Sequence, residues 1–292
     1  MENSVENQAA LLKAVKEKMD NRKVLTLDEI KLVCPSVDTP SPNPELRKRL
    51  GITERYVHVP TINVIEDIIK TGWEPIQAVQ VNARKKKGFQ RHMIKFINPE
   101  FIKEDSTEYP ELLLSNSHDG TTSFTLDVGI FRLVCSNGMV IKSEDFGSIK
   151  VRHLGYDFEV IQNAVTELMN KIPEYLRQVD GMKEQTLERE QQIEFARKAA
   201  MLRFTNTTEE AIEKIVDMED ILSVERNQDE GDKLWEVFNR IQEKLLNGKF
   251  TYDLGTKDRK ARAVKGFRQQ MKLNQGLWEI ASSYLPKVEE TV

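Results

Sequence analysis

The sequence predicts an α+β protein, with an antiparallel sheet and a basic hairpin in the N-terminal half and helices in the C-terminal half. Two observations favour this class. Hydrophobic residues alternate mostly with a period of two from position 56 to 153, and they recur with a period of 3.6 after Tyr156. The βαβ alternation that is typical of nucleotide-binding folds does not occur in the pattern.

The composition is that of a protein with a hydrophobic core. The 292 residues are 39% hydrophobic and 31% charged, with a formal net charge of −4, which argues against disorder of the whole chain. No apolar run approaches the roughly 18 residues of a membrane span, and the N-terminus lacks a signal-peptide pattern. We therefore expect a cytoplasmic protein without membrane contact. Its two cysteines, Cys34 and Cys135, fit a reducing compartment.

The first 45 residues are predicted to form a short helix at 8–19 and a proline-rich arm at 35–44. Four prolines in ten positions can neither propagate a helix nor pair as a central strand. We place a β-rich domain at residues 46–155 and a helical region that packs on it at residues 156–292.

The β-rich domain is predicted to begin with a helix at 63–70, for which Thr61 is a candidate N-cap. Alternation at 76–81 and 93–97 predicts two strands of a hairpin with a basic tip at 84–88. Hydrophobic residues then hold even positions at 124–130 and odd positions at 131–135, which predicts a strand with a β-bulge at Gly129. The same letters also fit a helix through Leu126, Ile130 and Leu133.

The helical region is predicted from apolar faces at 158–172 and 234–245. Thr207 and Glu210 have the spacing of a capping box that opens another helix. Asn247 and Gly248 are a typical signal for the end of a helix.

Two short windows are strongly basic although the chain as a whole is not. Six Lys or Arg and no acid occur at 84–95, and seven stand against Asp258 at 257–272. Clustered cations can follow a phosphate backbone, and an aromatic ring offers a stacking face to single strands. We expect the two windows to converge in one groove, whose nucleic-acid-binding residues are Arg84, Lys85, Lys86, Lys87, Phe89, Arg91, Lys257, Arg259, Lys260, Arg262, Lys265 and Arg268.

Other interpretations of these windows remain open. The hairpin tip also fits an ordinary solvated turn that is rich in lysine. The second window also fits pairing with acidic residues at 174–230 or with another subunit, because arginine clamps carboxylates as well as phosphates.

Signals for catalysis and for cofactors are weak. The four histidines are scattered singly without zinc-site spacing, and no phosphate loop or nucleophile motif occurs, so we predict no metal and no cofactor. His118 could act as a base with Asp119 or Ser117 in a hydrolase, but neighbouring residues of a strand point to opposite faces. A turn at 115–120 is favoured, and a non-enzymatic protein is predicted.

Five strings of the sequence are specific when they are taken together: NSHDG at 116–120, GIFRLVCSNG at 129–138, FGSIKVRH at 146–153, LWEVFNRIQE at 234–243 and LNQGLW at 273–278. In this order they resemble the phage/plasmid-like family known as domain of unknown function nine-three-two. The resemblance covers roughly residues 72–284. It implies a protein of bacteriophages, plasmids or other mobile elements, and it transfers no catalytic residues. Where family members often have Asn-Arg-Ala-Leu-Trp, this chain has Gln275 and Gly276 in place of Arg and Ala.

These observations lead to one main functional hypothesis and one alternative. We expect an oligomeric DNA-binding protein that assists replication or recombination by holding or annealing single strands. The alternative is an inhibitor that binds and occludes a host anti-phage defence complex, since complementary charge steers protein association. Self-association is expected in both cases, because amphipathic helices beside a sheet leave faces to bury.

Overall fold

The computed structural model describes residues 2–52, 56, 58–82, 87–102, 108–120, 124–132, 139–141, 149–151, 158–253, 255 and 258–286. Side chains are described for these residues except at 2–9, 132, 139–141, 149–151, 158, 267 and 268. The chain forms two compact units. The sheet unit comprises Met1–Phe131 and Glu144–Asn170, and the helical unit comprises Arg132–Ser143 and Lys171–Val292. The predicted domain boundaries at residues 45 and 155 stay a prediction.

The sheet unit contains an antiparallel sheet, as the sequence predicts, and the α+β class is confirmed. Its strands follow the order β1-β2-β3-β4, and β6 pairs with β4. The predicted hairpin is formed by β1 and β2, in which Gln80 is opposite His92. The strands of this unit are β1 Glu74–Gln80, β2 His92–Ile97, β3 Glu108–Asn116, β4 Phe124–Arg132 and β6 Ile149–Val151.

The segment at 124–132 is a strand, so the helix interpretation of these residues is wrong. Its hydrophobic residues at even positions are buried, and so are Thr125 and Asp127 between them. The Thr125 hydroxyl donates to Asp127 Oδ2 at 3.0 Å, which places both on the same face of β4. Both faces of β4 are therefore buried, and the hydrophobic residues at even positions form one of them. The predicted change of face continues to Leu133 and Cys135, which lie outside the described residues.

The N-terminal segment is more structured than the extended arm expected from its prolines. It forms α1 Glu2–Asp20, α2 Leu27–Val33, a 3-10 turn at Pro35–Asp38 and α3 Pro44–Leu50. Pro35 and Pro44 each begin a helical turn, where the missing N–H is not needed. Helix α2 was not predicted, although Thr26 and Glu29 form a complete capping box at its start.

This N-terminal segment covers β1, the first strand in the order of the sheet. The Leu25 amide donates to the Pro75 carbonyl at 2.7 Å, and the Cys34 thiol donates to the Val79 carbonyl at 3.7 Å. Burial raises the pKa of the Cys34 thiol to about 11. Backbone groups at the edge of a sheet invite pairing with other chains unless they are covered. Residues 19–36 therefore protect this edge.

Helix α4, Thr61–Lys70, contains the predicted helix at 63–70 and packs on the sheet, but its cap differs from the prediction. Pro60 is the N-cap, and Thr61 is the first helical residue. The helix buries Val64, Ile65 and Ile68. The Thr61 hydroxyl is thereby directed into a buried polar network rather than to the helix N-terminus.

Charged side chains are buried at the point where α1 ends against the sheet. Arg22, which adopts a positive φ of 53°, forms an ion pair with Glu111, and its guanidinium lies 3.5 Å from the Phe131 ring centroid. Lys95 Nζ is 3.4 Å from the same carboxylate. Glu111 is thus compensated by two cations inside the fold, as a buried carboxylate requires.

The helical unit is organised around α9, which is buried nearly all round, including its polar residues Asn239, Arg240 and Gln242. The predicted helices at 158–172 and 234–245 are present. Thr208, rather than Thr207, caps α7 through a hydrogen bond from the Ala211 amide.

The remaining elements have the following bounds. The helices are α5 Phe158–Glu184, which begins in the sheet unit, α6 Arg189–Arg203, α7 Glu209–Ile215, α8 Met218–Leu222, α9 Leu234–Asn247 and α10 Phe267–Ser282. The strands are β5 Met139–Ile141, β7 Thr251–Asp253 and β8 Asp258–Lys260, and 3-10 turns lie at Pro99–Phe101 in the sheet unit and at Asn227–Asp229.

None of the described helices combines the length and the apolar character that a membrane-spanning helix needs.

Candidate functional site

The second basic window forms an exposed segment of the helical unit, residues 258–266, which we name the basic strap. It begins as β8, which pairs with β7 so that Arg259 is opposite Tyr252 and Lys260 is opposite Thr251. It then runs without regular structure to the start of α10. Four predicted site residues have exposed side chains here, namely Arg259, Lys260, Arg262 and Lys265.

The backbone of the basic strap is fixed although its cations are exposed. Hydrogen bonds from and to its main chain tie it to α6, α9, α10 and β7. They run from the Ala261 amide to the Phe250 carbonyl at 2.9 Å, from the Val264 amide to the Leu246 carbonyl at 2.8 Å, from Arg203 Nη2 to the Arg262 carbonyl at 2.9 Å, and from Gln270 Nε2 to the Val264 carbonyl at 2.7 Å. Binding of a ligand to these cations would therefore not require the backbone of the strap to become ordered, so little conformational entropy would be lost.

Gly248 allows the strap to lie this close to the end of α9. It adopts the left-handed conformation with φ of 66° at the helix C-terminus, as the Asn247-Gly248 signal predicts. A Cβ at this position would lie 2.7 Å from the Ala261 carbonyl oxygen and would also overlap the Arg262 carbonyl carbon. Only glycine fits both the backbone conformation and the approach of the strap.

Other cations of the helical unit are paired with carboxylates. Lys244, whose side chain is 4% exposed, lies 2.7 Å from Glu225 in the acidic segment 174–230, and Lys249 lies 2.7 Å from Glu243 on α9. The hydrogen bond from Lys244 lowers the pKa of Glu225, and the hydrogen bond to Glu243 raises the pKa of Lys249. Among the described residues, no ion pair engages Arg259, Lys260, Arg262 or Lys265. The described carboxylates of this unit therefore pair with Lys244 and Lys249 and form no ion pair with these four cations of the strap.

One aromatic ring of the β7–β8 ribbon, Tyr252, contacts a second ring at the end of α6, Phe204. Tyr252 and Phe204 are both partly exposed, and their ring centroids are 5.3 Å apart with planes inclined at 65°. The main chain of Tyr252 pairs with Arg259 on one side and with Val216 on the other. The ring of Tyr252 is thus carried by a backbone that is held from both sides.

The first basic window belongs to the sheet unit, and the structure describes only part of it. Lys87 is exposed, Phe89 is partly buried, and Arg91 is partly buried and engaged in an interaction of its own. Predicted convergence of the two windows stays a prediction, because the strap belongs to the other unit. Arg84, Lys85, Lys86 and Lys257 lie outside the described residues, and the side chain of Arg268 is not described.

The end of the β1–β2 hairpin next to its turn is anchored by a buried polar network that the sequence did not predict. The Thr61 hydroxyl lies 2.8 Å from His92 Nε2, 3.2 Å from His118 Nε2 and 2.9 Å from Asn116 Nδ2. The His58 ring contacts that of His118, with centroids 4.6 Å apart and planes inclined at 50°. The backbone amide of His118 donates to the Phe89 carbonyl at 3.0 Å, which joins this network to the hairpin.

The hydrogen bonds define the protonation states of two of these rings. His92 Nδ1 faces the Gln90 carbonyl at 3.0 Å, so Nδ1 carries the proton and Nε2 accepts from the Thr61 hydroxyl. That hydroxyl can then only accept from Asn116 and from His118, whose Nε2 must carry a proton. Burial lowers the pKa of His92 to about 4 despite the bond to Gln90. His92 is therefore neutral at physiological pH.

This network has the character of a structural anchor rather than of a reaction centre. Thr61, His92, Asn116 and His118 are each at most 1% exposed, and the one donor and two acceptor positions of Thr61 are occupied. The histidines are 34 and 26 residues apart along the chain from His58 to His118, which is why spacing motifs do not reveal them. The pairing of His92 with Asn116 across β2 and β3 is what brings the string NSHDG to this place.

Across the described ranges, no three His, Cys, Asp or Glu side chains are arranged as metal ligands.

Comparison with known proteins identifies a family for the chain. Residues 51–278 match the family described as "Domain of unknown function (DUF932)". The chain belongs to this family. It is similar to two proteins of Escherichia coli strain K12, UPF0380 protein YfjQ at 31% identity over 274 residues and UPF0380 protein YafZ at 31% identity over 268 residues. In each case the match covers 91% of this chain and 93% of the relative. No solved structure gives a significant match.

Membership in the DUF932 family confirms the resemblance carried by the five strings. The matched range contains the β1–β2 hairpin, the string NSHDG and the basic strap. The names of the family and of its relatives carry no activity, so a function has to be argued from the site.

Proposed function

We propose that this DUF932 protein is a non-enzymatic nucleic-acid-binding protein that contacts phosphates through the basic strap. The observation that carries the proposal is the contrast in charge compensation within the helical unit. Lys244 and Lys249 are paired with carboxylates, whereas four cations of the strap are exposed and uncompensated among the described residues. Clustered cations of this kind attract a polyanion.

Phosphate binding by the strap has a quantitative signature. Each neutralised phosphate of a single strand releases counterions, and the affinity falls with salt by about 0.7 logarithmic units per phosphate. Four contacts thus give a slope of about −3 in a plot of log affinity against log salt. The fixed backbone of the strap supports the proposal, because little conformational entropy is lost when the ligand binds.

The biological role that we propose is assistance in replication or recombination of a mobile element, by holding or annealing strands of DNA. The implied origin in phages and plasmids supports this role. Self-association of the protein, also expected from the sequence, stays a prediction. The alternative expected from the sequence, an inhibitor of a host defence complex, predicts a stoichiometric protein partner and no salt-dependent binding of oligonucleotides.

The proposal is tested by fluorescence anisotropy with a labelled DNA oligonucleotide of about 30 nucleotides between about 50 and about 200 mM salt. The variant Arg259→Glu, Arg262→Glu, Lys265→Glu is expected to lose at least about 100-fold in affinity at the lower salt concentration. Lys13→Glu, Lys16→Glu, Lys23→Glu is the matched control, since these exposed lysines of the sheet unit give the same change in net charge. Equal affinity of the strap variant and the wild type would refute the proposal, as would an equal loss in the control.

A further inference from the structure

We infer that the basic strap selects single-stranded over duplex DNA by stacking one base on Tyr252. This inference rests on the proposed function and adds the class of strand and the residue that recognises it. Tyr252 is directly opposite Arg259 in the ribbon, and residues opposite each other in an antiparallel pair have Cβ atoms about 5 Å apart. A base on the ring and its phosphate on the guanidinium are thus bound by neighbouring side chains.

The Tyr252 ring is held in place before any ligand binds. Its main chain is paired with Arg259 and Val216, and Phe204 contacts the ring at a centroid distance of 5.3 Å. A tyrosine loses little conformational entropy on binding when its neighbours already restrict its two side-chain torsions. An aromatic face beside a row of cations is the arrangement by which proteins bind single strands with little sequence preference.

A duplex cannot use these two neighbouring side chains in the same way. Its bases are paired and stacked on one another, so a base can lie on the Tyr252 ring only after it is unstacked, which costs a few kcal/mol. The bases of a single strand can turn toward Tyr252 while its phosphates contact Arg259 and the other cations of the strap.

Three probes of equal length, of which the two single-stranded ones carry the same charge, separate the contribution of bases from that of phosphates. They are labelled oligo(dT) of about 20 nucleotides, an abasic deoxyribose-phosphate oligomer of the same length and a duplex. Wild-type protein is expected to bind oligo(dT) about tenfold more tightly than the abasic oligomer and more tightly than the duplex. Tyr252→Ala is expected to bind oligo(dT) only as tightly as the abasic oligomer, with the slope against salt unchanged.

Two further variants keep this test informative if the alanine variant folds poorly. Tyr252→Phe retains the aromatic face and is expected to keep the preference for oligo(dT), whereas Tyr252→Leu retains bulk without a π face and is expected to lose it. Equal binding of oligo(dT) and the abasic oligomer by wild type, or an unchanged preference in Tyr252→Leu, would overturn the inference while salt-dependent binding persists. Failure of all three probes to bind would instead overturn the proposed function.

Discussion

Lys244 and Lys249 differ from the cations of the basic strap in environment, although both sets lie in one unit and within about twenty residues of chain. Helix α9 directs Lys244 inward, against Glu225 and Asp220, and Lys249 folds back on Glu243. The strap begins beyond the β7–β8 turn, where no described carboxylate forms an ion pair with its cations. A count of charges along the sequence treats the two sets alike. What separates a structural cation from a binding cation is whether a carboxylate of the same chain reaches it.

The two sets should therefore respond to different experiments. Buried or paired groups determine the free energy of unfolding and its dependence on pH. Exposed uncompensated cations determine the affinity for polyanions and its dependence on salt.

The largest change in the free energy of unfolding is expected when the buried carboxylate of Glu243 loses the cations that are paired with it. Glu243 is 2% exposed and is compensated by Arg226 at 3.0 Å and Lys249 at 2.7 Å. Arg226→Met with Lys249→Met leaves this charge uncompensated, so the free energy of unfolding should fall by about 3 to 5 kcal/mol. Urea unfolding followed by tryptophan fluorescence measures it, because Trp235 and Trp278 are buried in the helical unit.

The control for this prediction is Lys13→Met with Lys23→Met, which changes the net charge equally at exposed sites. The control should unfold as the wild type does. The folded double variant of Arg226 and Lys249 should bind oligonucleotides with nearly unchanged affinity. A stability equal to that of the control would contradict the structural role given to the paired set.

The next largest effect concerns the dependence of the sheet unit on pH. His92 has a pKa of about 4 in the folded chain, against 6.5 as its ordinary value, because burial excludes the charged ring. Between these values the unfolded chain binds a proton that the folded chain does not, so the free energy of unfolding falls as pH decreases. The total loss is about 3 kcal/mol, from about 2.5 pKa units at 1.36 kcal/mol each.

Urea unfolding of wild type and His92→Gln at several pH values between about 7 and about 4 measures this dependence. Glutamine keeps an acceptor for the Thr61 hydroxyl but does not titrate, so the variant should lose stability less steeply on acidification. Parallel curves for the two proteins would show that His92 does not account for the loss.

The third prediction concerns Gly248, which ends α9 and also lies against the backbone of the basic strap. Gly248→Ala should lower the free energy of unfolding by more than about 2 kcal/mol, from a strained φ together with overlap against the strap. Gly255→Ala is the matched control, since Gly255 has a similar φ of 85° and no atom within 4 Å of a Cβ. It should cost only about 1 kcal/mol.

The oligonucleotide affinity distinguishes the two glycine variants further. Gly248→Ala should weaken binding, because the displaced backbone moves Arg262 and its neighbours. Gly255→Ala should bind as the wild type does. Equal affinities for both variants would show that the contact of the strap with Gly248 does not matter for binding.

The smallest effect on stability is expected for the strap itself. Lys260→Met with Lys265→Met removes two exposed cations that form no ion pair among the described residues, so the free energy of unfolding should change by less than about 0.5 kcal/mol. The slope of log affinity against log salt should nevertheless become shallower by about 1.4, from about 0.7 for each lost phosphate contact. A large loss of stability would place these lysines in the structural set.

Local patterns were sufficient to predict much of the fold. The β1–β2 hairpin and helices α5 and α9 follow from periodicity, and the end of α9 follows from Asn247 and Gly248, because each signal lies within one element. The packing of the N-terminal segment could not be predicted in this way. Its prolines were interpreted as an arm, but Pro35 and Pro44 begin helical turns and Val37 is buried.

The candidate site was predictable in part for the same reason. Exposure of Arg259, Lys260, Arg262 and Lys265 agrees with a surface segment, whereas their lack of ion pairs among the described residues depends on where the carboxylates of α8 and α9 are directed. The histidine network is entirely a product of tertiary structure, because Thr61, His92 and His118 meet only after α4 packs against the hairpin. Spacing along the chain contains no record of that contact.

The cover of β1 has a practical consequence for the boundaries of the DUF932 domain. The matched range begins at residue 51, but the groups that cover the outer edge of β1 lie at Met19, Leu25, Cys34 and Ser36. A chain shortened to the matched range would present bare peptide groups along that strand. Copies of the shortened chain would be prone to aggregate by pairing of their exposed β1 edges. Protection against this aggregation therefore depends on the N-terminal segment, which lies outside the matched range.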